Sequence, residues 1–202
     1  MKIGVLGTGI VAQLLAQRSS EAGHEVTFGS RDPSSKNGLA FPVASLEDVV
    51  AANGLLVNAT PGSVSLGLFE GIGSALFTGK IIVDVANAIT PAFELVYPNS
   101  SLAEKLQAAL PGAYIVKSLN TAAMLVMTEP SALPPSSVFV SGDDDAAKKV
   151  VIDLLSDIGW PRDAIVDLGG IKSARGPEHY FLMFATLMSS LRTPKFNIRL
   201  VI

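Results

Sequence analysis

The chain has 202 residues, 49% of them hydrophobic and 16% charged, with 15 Lys and Arg against 18 Asp and Glu for a formal net charge of −3, and no cysteine. That length supports one substantial core or a large domain with a small appendage, the composition excludes a disordered chain, and the lack of a basic stripe argues against a nucleic-acid binder. Missing cysteine removes disulfides, thiolate catalysis and cysteine-based metal sites, and no charged region, apolar run and cleavage site open the sequence, so a cytoplasmic protein is expected.

Met1 to Leu6 reads as a short buried strand, Gly7-Thr8-Gly9-Ile10-Val11-Ala12 follows it, and an amphipathic helix runs to about Ala22 before Gly23. In this strand, turn and helix context the GxGxxA spacing predicts a nucleotide site. Gly7 allows the tight turn, Gly9 lets a pyrophosphate approach the backbone, and Ala12 is small enough for close helix packing. The phosphates are expected on the free N–H groups of Gly7, Thr8, Gly9, Ile10 and Val11 at the helix N-terminus. A second strand, Glu25 to Gly29, ends where an NAD site places an acid for the ribose 2′-hydroxyl, and Ser30 and Arg31 stand there instead. A hydroxyl and a guanidinium hydrogen-bond a 2′-phosphate that a carboxylate would repel, so NADP is preferred over NAD by roughly ten- to a hundredfold. Lys36, in the following Pro/Ser/Asn/Gly loop, adds a second positive charge.

Further along, Leu39 to Val43 is a proline-broken strand candidate, and Ser45 with Asp48 starts a helix that runs to about Ala52. Leu55 to Ala59 is an apolar run expected of a strand buried on both faces. Ligands of a doubly wound sheet lie beyond the carboxyl ends of its strands, which points Ala59, Thr60, Pro61, Gly62 and Ser63 at the dinucleotide. A loose helix from Leu66 to Phe77 precedes a strand from Lys80 to Asn87, whose end brings Ala86 and Asn87 to the same face. Asp84, inside that strand, is read as a structural acid satisfied by loop amides. Thr90 to Asn99 is an irregular loop. Ser101 and Glu104 form a capping box, and the strand Ala113 to Ser118 delivers Asn120 and Thr121 to the cofactor edge, with Lys117 read as a salt-bridged structural lysine.

Pro130 to Ser137 reads as an ordered loop before a strand at 137–141. Gly142-Asp143-Asp144-Asp145 then caps a helix closed by Gly159, so these acids are capping groups and no metal site is expected. After a last strand at 164–168, Arg175 and Glu178 are read as an intrahelical ion pair, and the apolar run from Tyr180 to Leu191 falls short of the ~20 residues that span a bilayer. That run belongs in a core or a subunit interface. His24 and His179 have no neighbouring nucleophile or second ligand and are read as structural or surface residues.

Gly7-Thr8-Gly9, Gly29-Ser30-Arg31 with Lys36, Gly142 to Asp145 followed by Lys148 to Val151, and Ala174-Arg175 with Glu178 together resemble the NADP oxidoreductases that depend on the deazaflavin coenzyme F420. That group is itself similar to the cytoplasmic NADPH domain of membrane ferric reductases. The resemblance implies an α/β, Rossmann-type doubly wound and mostly parallel sheet over residues 1–168, with a small helical C-terminal appendage, 169–202, that contributes to the acceptor pocket or a dimer interface. It implies a homodimer that transfers hydride between NADP(H) and a deazaflavin or flavin ring. Thr8 to Val11 would hold the pyrophosphate, Ser30, Arg31 and Lys36 the 2′-phosphate, and Thr60 to Val64 would border the ribose and nicotinamide, with Asn120 and Thr121 near the transfer centre. One departure is Gly176-Pro177, where the family tends to carry bulky apolar residues toward the nicotinamide.

No Ser-His-Asp set, paired carboxylates or metal-ligand cluster is apparent, which suits chemistry carried by two stacked rings and names no acid or base. An NADPH-dependent imine or ketone reductase is the alternative enzyme, although it usually needs a longer helical C-terminal domain. A non-catalytic NADP(H)-binding sensor is the alternative from another class.

Overall fold

The computed structural model describes residues 1–201. Eight strands form one sheet: β1 (Lys2–Leu6), β2 (Glu25–Ser30), β3 (Val43–Ser45), β4 (Leu55–Asn58), β5 (Ile81–Asp84), β6 (Tyr114–Ser118), β7 (Val138–Ser141) and β8 (Ile165–Asp167). The helices between and after them are α1 (Ile10–Glu21), α2 (Leu46–Ala52), α3 (Gly62–Ile72), α4 (Leu102–Ala109), α5 (Met124–Thr128), α6 (Asp145–Asp157) and α7 (Arg175–Leu191). Their order across the sheet is β3-β2-β1-β4-β5-β6-β7-β8, and every neighbouring pair is parallel except β6 with β7. The chain thus leaves β1 in one direction to β2 and returns on its other side at β4. The carboxyl ends of β1 and β4 form the switch point at which such sheets open a ligand crevice.

Alternate residues of the central strands feed two cores, one on each face. Ile3, Val5, Val26, Phe28, Leu55 and Val57 pack with Ala12 and Leu15 of α1 and with Val151, Leu154 and Trp160. Leu6, Leu56, Ile82 and Ile115 pack on the other side with Val49 and Val50 of α2, Phe69 of α3 and Leu106 of α4. Burial on both faces is why these strands read as near-continuous apolar runs. The expected caps form: Ser45 accepts from the Asp48 amide at 3.1 Å, Ser101 from Glu104 at 3.1 Å and Asp144 from Ala147 at 2.7 Å.

Several boundaries differ from the sequence reading. The strand expected at 39–43 begins only at Val43 and runs to Ser45; Pro42 lacks an N–H and joins the ladder only by accepting from the Phe28 amide. The helix expected from Leu66 starts at Gly62, directly after Pro61, and ends at Ile72, with a separate 3-10 turn at Ser74–Phe77. A 3-10 turn at Pro130–Ala132 opens the stretch read as loop, and helix α5 precedes it where the sequence offered no assignment. Helix α7 begins at Arg175, ahead of the apolar run from Tyr180, with Gly176 and Pro177 in its first turn, where a missing N–H costs nothing. Its core burial is confined to that turn: Pro177 and Glu178 are buried, whereas Leu182, Met183 and Leu191 are 45%, 55% and 55% exposed.

Candidate functional site

The crevice at the switch point is an open cleft of about 1430 Å³. Its floor is the turn from β1 to α1. Gly7 has φ +110°, and a Cβ there would lie 2.7 Å from the Ala59 carbonyl oxygen, so only glycine lets the turn pass beside the end of β4. Gly9 differs: a Cβ on it would meet nothing within 4 Å. Internal packing therefore does not demand glycine at 9, and the backbone there is open to the cleft. Gly9 is also the N-cap of α1, where no side chain bonds the helix amides and no acid stands in the first turn. These free N–H groups, at the positive end of the helix dipole, fit an anion.

At the far end, Arg31 and Lys36 are exposed on the cleft wall, and neither is paired with a carboxylate among the described residues. Asp32 lies beside them. Its carboxylate is committed to the loop, accepting from the Ser34 hydroxyl at 2.6 Å and the Ser35 amide at 3.3 Å, and these bonds hold it below the usual aspartate range. The acid thus orders the loop that carries Lys36 and leaves the two cations to whatever enters. Helix amides without a side-chain cap, an uncrowded glycine and, among the described residues, two unpaired cations at one end fit a dinucleotide bearing an extra phosphate.

The inner edge is built from the ends of β4, β5 and β6. Gly62, the first residue of α3, lies against the 85–88 loop so closely that a Cβ would stand 2.3 Å from the Asn87 carbonyl oxygen. Asn58, Asp84 and Lys117 are register partners across the three strands, each ending an apolar run. Asn58 donates to Asp84 at 2.8 Å and accepts from the Thr60 hydroxyl at 2.7 Å; the Lys117 ammonium is 2.9 Å from Asp84, 3.1 Å from Glu178, and donates to the Ala86 carbonyl. Burial would push the Lys117 ammonium down, yet Asp84 and Glu178 outweigh it and hold it above the usual lysine range. Burial pushes the Glu178 carboxyl up against the pull of Lys117. That carboxylate also caps α4, accepting from Leu102 at 2.8 Å and Ala103 at 3.1 Å.

Gly7, Thr8, Gly9, Ile10, Val11, Ser30, Arg31, Lys36, Ala59, Thr60, Pro61, Ser63, Ala86 and Asn87 all line the cleft. Asn120 and Thr121 do not. Both are buried behind the wall, and Asn120 exchanges hydrogen bonds with Asn87, accepting at its carbonyl at 2.8 Å and donating from its side chain at 2.9 Å. Leu119, at φ +63°, turns the backbone so that Asn120 can do this. Sequence reasoning missed Leu46, Leu68 and Met127 on the wall, apolar residues that no pattern separates from core. It also misplaced two acids. Arg175 and Glu178 do not pair: Arg175 clasps Glu104 of α4 through two bonds of 2.8 and 2.7 Å, and Glu178 turns inward to Lys117, because the α4 N-terminus and a buried ammonium offer more than a surface guanidinium one turn away. Asp84 is satisfied chiefly by Asn58 and Lys117, with a single loop amide, Ala86, at 3.3 Å. Among the described residues no group of acids, histidines or cysteines is arranged to hold a metal, and no helix is long and apolar enough to cross a membrane.

Fold and cleft define a Rossmann-type α/β protein. Residues 2–88 match the family described as NADP oxidoreductase, coenzyme F420-dependent. The crystal structure of a candidate F420-dependent NADP-reductase from Arthrobacter sp. FB24 superposes with a TM-score of 0.94 and 37% identity, covering 100% of both chains. The F420-dependent NADP reductase of Methanocaldococcus jannaschii is 26% identical over 80% of this chain and 75% of its own. The chain belongs to the coenzyme F420-dependent NADP oxidoreductase family. Metalloreductase STEAP3 of Rattus norvegicus is 30% identical over 88% of this chain, which spans 36% of that protein's length. An imine reductase of Streptomyces aurantiacus, at 17% identity and a TM-score of 0.68 over 95% of this chain and 64% of its own, shares the fold.

Proposed function

We propose that this chain transfers hydride between NADP(H) and a deazaflavin or flavin-type ring. The observation that carries the reading is the pair of unpaired cations, Arg31 and Lys36, at one end of a cleft whose other wall is the uncrowded Gly9 turn. The α1 amides would hold the pyrophosphate, Ser30, Arg31 and Lys36 the 2′-phosphate, and the segments 59–64 and 85–87 the ribose and nicotinamide. NADPH supplies the hydride when bound. The protein's part is orientation and exclusion of water: the apolar Val64, Leu68 and Met127 on the cleft wall suit a flat ring, and Asn87, fixed by Asn120, presents a rigid edge. Asn120 and Thr121 then act from behind the wall.

The segment 169–202 completes this reading as the part that borders the acceptor or forms a homodimer. Its support is the set Leu182, Met183, Met188 and Leu191 of α7, which stay exposed although Phe181 and Phe184 of the same helix pack on Phe93 and Phe196. Analytical ultracentrifugation tests it: the wild type is expected as a dimer and Met183→Glu as a monomer, while a monomeric wild type sinks this half. A cytoplasmic location belongs to the same proposal and is tested by fractionation of the source cells.

The experiment for the activity is NADPH oxidation followed at 340 nm against coenzyme F420, FAD, FMN and riboflavin, with NADH run beside it. Turnover on one ring with strong NADPH preference is expected. Tight NADPH binding with no turnover on any of the four would overturn the ring-acceptor reading in favour of an imine or ketone reductase or a sensor.

A further inference from the structure

The polar row at the ends of the strands does more than fill the core. Asp84 and Lys117 are wholly buried, and their partners belong to three separate parts of the molecule. One branch runs through Asn58 to the Thr60 hydroxyl and on to Ser65 of α3 at 2.7 Å, at the edge of the cleft. A second is the ammonium's bond to the Ala86 carbonyl, in the loop whose next residue lines the cleft. The third is Glu178, in the first turn of α7, 3.1 Å from the same ammonium. A helix that is otherwise largely uncovered thereby reaches, through one nitrogen, the two loops that shape the inner end of the cleft.

A purely structural need would be met more simply. One carboxylate neutralises one ammonium, and buried ion pairs are seldom worth more than a well-packed apolar replacement. Here a second acid is brought in from an element remote in sequence, and both of its oxygens also cap α4. α7 is also anchored independently, at the surface, by Arg175 on Glu104. The two anchors differ in one respect: only Glu178 touches the ammonium that holds the cleft.

We propose that Lys117 is a positioning residue that couples the seating of α7 to the geometry of the 59–61 and 85–88 loops. When Glu178 is in place, the ammonium is drawn into a site where its remaining donors meet Asp84 and the Ala86 carbonyl, and the inner wall is set. When α7 shifts, the ammonium loses one of two anionic partners and its hold on the loop changes. A contact made on the exposed face of α7 is thereby felt at the cofactor cleft.

The test compares two anchors of one helix. Glu178→Gln keeps the side-chain shape and one acceptor oxygen, enough for one of the two α4 amides, while removing the negative charge beside Lys117; Arg175→Gln loosens α7 without touching it. Amide hydrogen exchange is measured on each full-length protein without cofactor. We expect Glu178→Gln to raise exchange at 59–61 and 85–88 and Arg175→Gln to raise it only in α7 and α4. Equal effects of the two variants on the loops, or none from either, would overturn the coupling. A second readout rests on the proposed NADPH site: Glu178→Gln should weaken NADPH and NADH alike, by about three- to tenfold, leaving their ratio unchanged. Altered exchange in a protein that binds no NADPH keeps the coupling and fails the functional reading, whereas Arg31-dependent NADPH binding with unaltered exchange does the reverse.

Discussion

The two ends of the cleft use positive charge in opposite ways. Among the described residues Arg31 and Lys36 stand in solvent with no carboxylate partner, and the adjacent acid, Asp32, is turned into its own loop. Lys117 is sealed from solvent and held by two carboxylates and a carbonyl. An exposed cation without a partner costs the fold little and is free for a ligand; a buried one must be satisfied by the protein and so can only hold the frame. The difference separates residues that should change binding alone from residues that should change stability.

The largest expected effect is on the buried side. Lys117→Met strands two carboxylates in the core and should cost about 3–5 kcal/mol of unfolding free energy, read from the urea midpoint. A loss below about 1 kcal/mol would mean that water reaches the row. Next come the glycines. Gly62→Ala drives a methyl into the Asn87 carbonyl and should destabilise by about 1–3 kcal/mol, whereas Gly9→Ala meets nothing and should leave the midpoint unchanged while weakening NADPH more than about tenfold. If Gly9→Ala binds NADPH normally, the pyrophosphate does not cross that turn. On the exposed side, Arg31→Ala should weaken NADPH by about ten- to a hundredfold, spare NADH and leave the midpoint unchanged. Equal loss of both cofactors would break the contrast, because it would place Arg31 on a group the two share.

How much of this was legible in the sequence follows the same division. The open end announced itself, because glycines in a turn and a basic residue after a strand are local signals whose chemistry does not depend on what packs against them. Fourteen of the sixteen named site residues line the cleft, and the two that do not, Asn120 and Thr121, lie past the left-handed Leu119, a conformation that no leucine advertises. Of the row Asn58, Asp84 and Lys117, the sequence marked Asp84 as a structural acid and Lys117 as a salt-bridged lysine, but not that register makes them neighbours. Its partner from α7 was missed. Glu178 lies 61 positions beyond Lys117 and beside an arginine at helical spacing, so the short-range pairing rule gave the wrong partner. The start of helix α7 was legible by contrast, since the Arg175 and Glu178 spacing is helical and Pro177 suits a first turn.

The smallest effect comes from the other anchor of α7, and it completes the contrast because that anchor is partly wet. Arg175 binds Glu104 through two hydrogen bonds, and these, against the opposing cost of burial, hold the Glu104 carboxyl at about 2 instead of 4.5. The arginine side chain is 39% exposed, so solvent screening reduces what the shift is worth, to about 1 kcal/mol. The sign follows from the lowered value: the pair contributes fully above the unfolded-state pKa of 4.5 and is lost as pH falls toward 2, since protons then bind the unfolded chain first. Glu104→Gln should therefore be less stable than wild type by about 1 kcal/mol at neutral pH, with the gap narrowing by about half near pH 3. A gap that stays constant with pH would assign the contribution of Glu104 to its packing and to the capping bond with Ser101, not to its charge.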